Sequence, residues 1–173
     1  MSTHIGGSAH GGAPETSTGA DLDREFRTAL ARWASGVTVV SVRDDAQVFG
    51  ITATAFASVS LEPPLVLVCL GANAIVLPML EIGTQLVVNI LGTDQKRTAT
   101  IFTDVGPLGR ELFAAEGPPV VTGSLVSLVC AVDAKHAAGD HTIVVARVHG
   151  ALLGETRQPL LRYERGWRRL ADD

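Results

Sequence analysis

The sequence is poor in cysteine, in long apolar runs and in basic charge, and each shortage removes a class of protein. Its 173 residues include two cysteines, Cys69 and Cys130, each inside an apolar stretch of strand character. Two such residues build no disulfide framework, and they read as small buried hydrophobes suited to a reducing compartment. Without a Cys-x-x-Cys pair, a zinc ribbon and a thioredoxin-type motif are excluded. The longest apolar run of the body, Leu65–Leu70, falls far short of the roughly 20 residues a membrane-spanning helix needs. The net charge of −4 argues against a nucleic-acid partner, which demands a basic surface to neutralise phosphates. Residues 1–20 lack the apolar h-region and basic start of a signal peptide. These absences point to a cytoplasmic chain with no membrane and no nucleic acid among its partners.

Catalytic motifs are scarce as well. His4, His10, His136, His141 and His149 form no His-Glu-x-x-His or similar ligand pair, so no metal site is expected. No Gly-x-Gly-x-x-Gly follows a strand, which disfavours a Rossmann fold. A phosphate loop and a Gly-x-Ser-x-Gly elbow are missing too.

What remains is a chain able to fill a core, with 46% apolar and 18% charged residues, of a length that suits one domain. Residues 1–20, rich in Gly, Ser, Thr and Ala, read as a flexible tail that cannot repay its ordering entropy by burial. The folded domain is expected over 21–173. Leu22, Phe26, Ala29, Leu30 and Trp33 recur on one helix face from Asp21, and Gly36 is the expected stop. Val37–Val42 and Gln47–Thr52 read as a hairpin around Arg43–Ala46. Leu65–Leu70 reads as a strand buried on both faces, Ala72–Ile82 as a short helix and Gln85–Leu91 as a strand. A helix over Asp94–Thr103 precedes an irregular Gly/Pro-rich stretch over Val105–Pro119. Leu125–His136 and Asp140–Leu153 are long strands, and Leu160–Tyr163 with Gly166–Leu170 closes the chain as a hairpin. Closely spaced strands without regular strand–helix alternation predict a mainly β fold, a barrel or sandwich with flanking helices.

Two segments stand out. Gly50–Ser60 crowds small and hydroxylated residues onto a strand, which lets a flat ligand approach the backbone. An ordinary strand with a Ser/Thr solvent face fits the same residues. Gly139-Asp140-His141-Thr142 opens a long strand, where Asp140 either orients an imidazole or simply holds a hairpin turn.

Several separated motifs, in order, carry a resemblance. Phe26-Arg27-x-Ala29-Leu30-Ala31-Arg32-Trp33-Ala34-Ser35-Gly36-Val37-Thr38-Val39-Val40 is similar to the opening of the short-chain flavin reductases, the reductase components of two-component flavin monooxygenases. Thr52-Ala53-Thr54-Ala55-Phe56-x-Ser58-Val59-Ser60-Leu61-Glu62-Pro63-Pro64-Leu65-Val66 resembles their flavin-binding stretch, and Gly139-Asp140-His141 their Gly-Asp-His signature. Val88-Asn89-x-Leu91 and the closing region Leu160–Trp167 complete a match running from about Leu22 to Leu170. In that closing region, where Trp167 directly follows Gly166, the spacing is only approximate.

The resemblance implies an FMN-binding split β-barrel of Greek-key type, a homodimer with flavin near the subunit interface. The implied reaction is hydride transfer from NADH or NADPH to FMN or FAD, with reduced flavin passed to a monooxygenase. It places Thr52, Ala53, Thr54 and Ala55 beside the isoalloxazine or ribityl group, and Ser58, Val59 and Ser60 at the ring edge. Asn89, Leu91, Gln95 and Phe102 are implied nearby. His141 is the implied catalytic residue, positioning nicotinamide rather than moving a proton, with Tyr163 on the same side. Two departures stand out. Thr54-Ala55 replaces the family's usual Ser-Ser. The phosphate-receiving Ser/Thr segment reads Gly71-Ala72-Asn73-Ala74-Ile75-Val76-Leu77-Pro78, where Asn73 is the one polar side chain left. A helix starting nearby would still offer N–H groups to an anion. The altered segment motivates an alternative: a relative recruited to a non-reductive reaction, or to flavin binding or transfer only.

Overall fold

The computed structural model describes residues 19–45, 47–103 and 110–171. The expected tail, apart from its last two residues, and part of the 105–119 loop lie outside this set. Helix α1 spans Gly19–Ala31, so it starts two residues before Asp21, which falls in its first turn. A two-residue strand β1 (Ser35–Gly36) leads into β2 (Thr38–Asp44), β3 (Gln47–Ala53), β4 (Phe56–Leu61) and β5 (Pro64–Gly71). After β6 (Gln85–Ile90) and the short α2 (Lys96–Ile101) come the long strands β7 (Val126–Ala138) and β8 (His141–Leu153). The final hairpin is β9 (Leu161–Tyr163) and β10 (Gly166–Arg168).

Seven strands form one antiparallel sheet in the order β3-β2-β6-β7-β8-β5-β4, and β1-β9-β10 form a second. Neighbours β2–β6 and β5–β8 are distant in sequence, giving the Greek-key crossovers. The two edge strands, β3 and β4, are consecutive in the chain, and only Thr54 and Ala55 connect them. Phe49 and Ile51 of β3 pack into the same core as Phe56 of β4 and Val66 and Val68 of β5. The sheet therefore curls until its edges approach, and Thr54-Ala55 spans the split. The mainly β expectation and the split-barrel class hold.

Four local expectations are corrected. Ala72–Ile82 is no α-helix: a single 3-10 turn covers Leu77–Met79, within a run of bonds such as Ala74 N–H to Gly71 O and Leu77 N–H to Ala74 O. Pro78 has no N–H to give, and Ile75 and Val76 are β-branched, so the i→i+4 ladder loses support. Ala74, Val76 and Leu80 instead bury their side chains in the core. Strand β5 alternates buried and half-buried residues and so has one core face rather than two. Gly36 does not end α1; the helix stops at Ala31, and Gly36 pairs with Leu161. Gly50 is small to admit a protein ring rather than a ligand, since a Cβ there would lie 2.6 Å from Phe102 Cε1.

Candidate active site: a cavity at the split of the barrel

A cavity of about 1080 Å³ opens where α1, the Thr54–Ala57 segment and the β9–β10 hairpin meet. One wall is Thr54, Ala55, Phe56 and Ala57 with Leu67 and Cys69 of β5. The small side chains at 54, 55 and 57 leave the backbone open to a planar group, as the sequence pattern suggested. The wall is held firmly: Cys69 N–H donates to Ala55 O at 2.9 Å. The opposite bank carries Arg27, Leu30 and Trp33, then Arg162, Tyr163, Glu164 and Arg165. Trp33 is 75% exposed, which puts a large aromatic face at the disposal of a ligand.

Asp140 and His141 stand at the tip of the β7–β8 hairpin. Register pairs His141 with Gly71, and Ile143 with Cys69. Alternation along the strands then sets His141 on the same sheet face as Cys69 and Leu67, the face that lines the cavity. His141 Nδ1 lies 2.7 Å from Asp140 Oδ1. That hydrogen bond, and then the imidazole's charge, hold the Asp140 carboxyl below its usual range, with a smaller contribution from Arg27. An ionised carboxylate only accepts, so the ring donates to Asp140 Oδ1 through Nδ1. Asn73 is exposed beside this pair, next to Ala72, whose N–H donates to Asp140 O.

The structure thus brings together Thr54, Ala55 and Tyr163 around the cavity and sets His141 on its sheet face. Other implied residues go elsewhere. Thr52 Oγ1 donates to Ala99 O at 2.7 Å, and Ala53 is in the core with its carbonyl accepting from Thr38 Oγ1. Ser58, Val59 and Ser60 continue along β4 beyond the cavity lining, exposed or half-exposed. Asn89 has no exposure at all. Its amide donates to Val39 O and Ser41 Oγ, and its oxygen accepts from Val121 N–H and Ser127 Oγ. Leu91 and Phe102 are core residues, and Phe102 meets Phe113 edge-on at 5.5 Å between centroids. Gln95 is buried, accepting from Gly92 N–H and donating to Thr122 O. The side chains of Thr52, Asn89, Leu91, Gln95 and Phe102 are thus engaged within the protein, behind the wall.

Sequence reasoning missed Arg27, Leu67, Cys69, Arg162 and Arg165. The odd-numbered face of β5 was the available signal for Leu67 and Cys69; the arginines converge only through tertiary structure. Cys130, on β7, is fully buried, and burial pushes its thiol up to about 11. Among the described residues no cluster of His, Cys, Asp or Glu is arranged to hold a metal ion. No helix among them is long and apolar enough to cross a membrane.

The flavin reductase like domain family matches residues 30–171. The chain is 43% identical over 149 residues to the reductase component of 4-hydroxyphenylacetate 3-monooxygenase from Thermus thermophilus, covering 86% of this chain and 97% of that protein. It is 40% identical over 166 residues to an NADH-dependent flavin reductase of Rhodococcus, covering 90% and 93%. The solved structure of flavin reductase PheA2 superposes with a TM-score of 0.79 at 36% identity, over 87% of this chain and 99% of that one. The NADH:FAD oxidoreductase SgcE6 of Streptomyces globisporus, in complex with NAD and FAD fragments, gives 0.78 at 31% identity over 92% and 99%. With the barrel, its split and the matched span in agreement, the chain belongs to the flavin reductase-like family.

Proposed function

We propose that this protein is an NADH-dependent flavin reductase whose reduced FMN or FAD serves a monooxygenase component. The observation that carries the reading is the cavity at the split. It is larger than the ~300–1,000 Å³ of ordinary ligand sites, small-residued on one wall and aromatic on the other. That is room for a planar ring with a second ring laid on it. The relatives named for NADH-dependent flavin reduction support the same reading.

Bound flavin and nicotinamide supply the electron chemistry themselves. The chain's own residues bind, orient and exclude water. We assign Thr54 and Ala55 to the flavin face through their backbone and the Thr54 hydroxyl. Tyr163 and Trp33 form the opposing bank, and His141, oriented by Asp140, positions the nicotinamide. Bringing two rings into stacked register is the main contribution asked of the protein, and orientation of this kind is worth up to ~7–11 kcal/mol. Thr52, Asn89, Gln95 and Phe102 keep the wall rigid from within.

We assign the working state to a homodimer. Among the described residues, α1 buries none of its own, although Leu22, Phe26 and Leu30 form a continuous apolar face. A helix of this length is marginal without packing. Leu61 on β4 is 93% exposed. A second copy covering α1 would also close the cavity that α1 borders. The two unpaired cysteines suit a cytoplasmic setting.

The test is NADH oxidation by purified protein with riboflavin, FMN or FAD as acceptor. Flavin-dependent turnover is expected, and His141→Ala should raise the KM for NADH several-fold more than that for flavin. Folded protein that fails to oxidise NADH with any flavin rejects the reading.

A further inference from the structure

The family resemblance implies a cofactor phosphate at Gly71–Pro78, where Asn73 is the one polar side chain left and a helix N-terminus is expected nearby. The structure takes away most of that anchor: no α-helix forms, and Ala74 and Val76 face the core at 8% and 0% exposure, leaving Asn73 exposed. Charge is concentrated across the cavity instead. Three arginines and one carboxylate, Arg27, Arg162, Arg165 and Glu164, border it, a local excess of positive charge in a chain whose net charge is −4.

The two banks of this charge are tied together. Glu164 N–H donates to the orphan carbonyl of Ala31 at the end of α1, at 2.7 Å. This links the helix carrying Arg27 to the turn carrying Arg165. Arg162 is fixed by its stack over Trp167, 4.5 Å to the ring centroid. The turn itself is strained. Glu164 and Arg165 hold φ at 47° and 61°, where a two-residue hairpin ordinarily uses Asn or Gly. A left-handed arginine at a cavity rim is backbone strain retained at a binding site.

We propose that Arg27 and Arg165 form the phosphate-binding bank of the cavity, taking over the anchoring role that the 71–78 segment has largely lost. The ligand class is the phosphate of a flavin or nicotinamide nucleotide, and the proposal rests on the cavity being the cofactor site. Guanidinium pairs phosphate through charge-assisted, often bidentate hydrogen bonds. Each such contact corresponds to roughly ten-fold or more in affinity.

The experiment compares riboflavin with FMN by equilibrium flavin-fluorescence titration, and measures NADH binding by its own fluorescence. The proteins are the full chain, Arg27→Gln, Arg165→Gly and the double variant, each checked by thermal melting. Arg165→Gly also relieves the strained turn, so its melting temperature should hold or rise. The expected result is that the parent binds FMN at least ten-fold more tightly than riboflavin. The double variant should bring that ratio within about three-fold with riboflavin affinity unchanged. If the ratio persists but NADH affinity falls ten-fold, the phosphate held is the nicotinamide nucleotide's, and the bank is still supported. A folded double variant with both the ratio and NADH affinity unchanged overturns it. Because these are binding measurements, they decide the arginines even if NADH oxidation is absent. Equally, turnover with an unchanged ratio and unchanged NADH affinity rejects the arginines alone.

Discussion

Asn89 and Thr54 both belong, by resemblance, to a flavin site, yet they sit in opposite circumstances. Asn89 is sealed in the interior with four partners on three different segments. Thr54 is exposed in a two-residue connection at the mouth of a cavity. The same contrast separates the two halves of the molecule. The β2–β6–β7 side completes its own packing, with Val39, Val40, Val87 and Val88 fully buried. The α1, β4 and β9–β10 side leaves Leu22, Phe26, Leu30, Trp33 and Leu61 exposed. One half serves as the frame, and the other borders the cavity and leaves its apolar side chains exposed. Polar residues in the frame are there to be satisfied internally, since an unpaired buried group costs about 1–3 kcal/mol.

Three substitutions sharpen this contrast. Asn89→Leu should act on the frame, stranding Val121 N–H and the Ser127 hydroxyl and loosening the 113–124 segment from β6. A loss of ~2–4 kcal/mol is expected, read from the denaturation midpoint. An unchanged midpoint would place Asn89 outside the structural network. Ala55→Leu should act on the other half, filling the cavity wall without touching the core. Flavin affinity should fall at least about ten-fold, equivalent to ~1.4 kcal/mol, with stability nearly constant. Undiminished affinity would move the flavin elsewhere. Phe26→Glu puts charge on the uncovered face of α1 and should weaken self-association about ten-fold, seen by sedimentation at graded concentration. A chain that is monomeric before the change would refute the covered-face argument.

Much of the frame was legible. The apolar, largely β-branched runs at Val37–Val42 and Gln85–Leu91 mark strands buried on both faces, and the two long segments over 125–153 mark a hairpin. The small-residue wall at 54–57 was visible as composition. What escaped depends on contacts remote in sequence. Asn89 meets Ser41, Val121 and Ser127 across 48, 32 and 38 residues, so its isolation from the cavity has no local signature. The 72–82 segment carries helix-compatible residues, but Pro78 and the pull of Ala74, Val76 and Leu80 into the core outweigh weak helix propensity. Arg27 and Arg165 share a cavity only because the β9–β10 turn caps α1.

Cys69 gives the most direct reading of the central claim that flavin occupies the split. Its thiol is half-buried on the cavity wall, whereas Cys130 is buried in the core with its thiol raised to about 11. Thiolate is the reactive form, so Cys130 serves as an inert internal control. Timed alkylation with peptide mapping should modify Cys69 alone, and saturating FMN should slow that modification at least about ten-fold. Alkylation of Cys69 at the same rate with and without bound FMN would contradict the account.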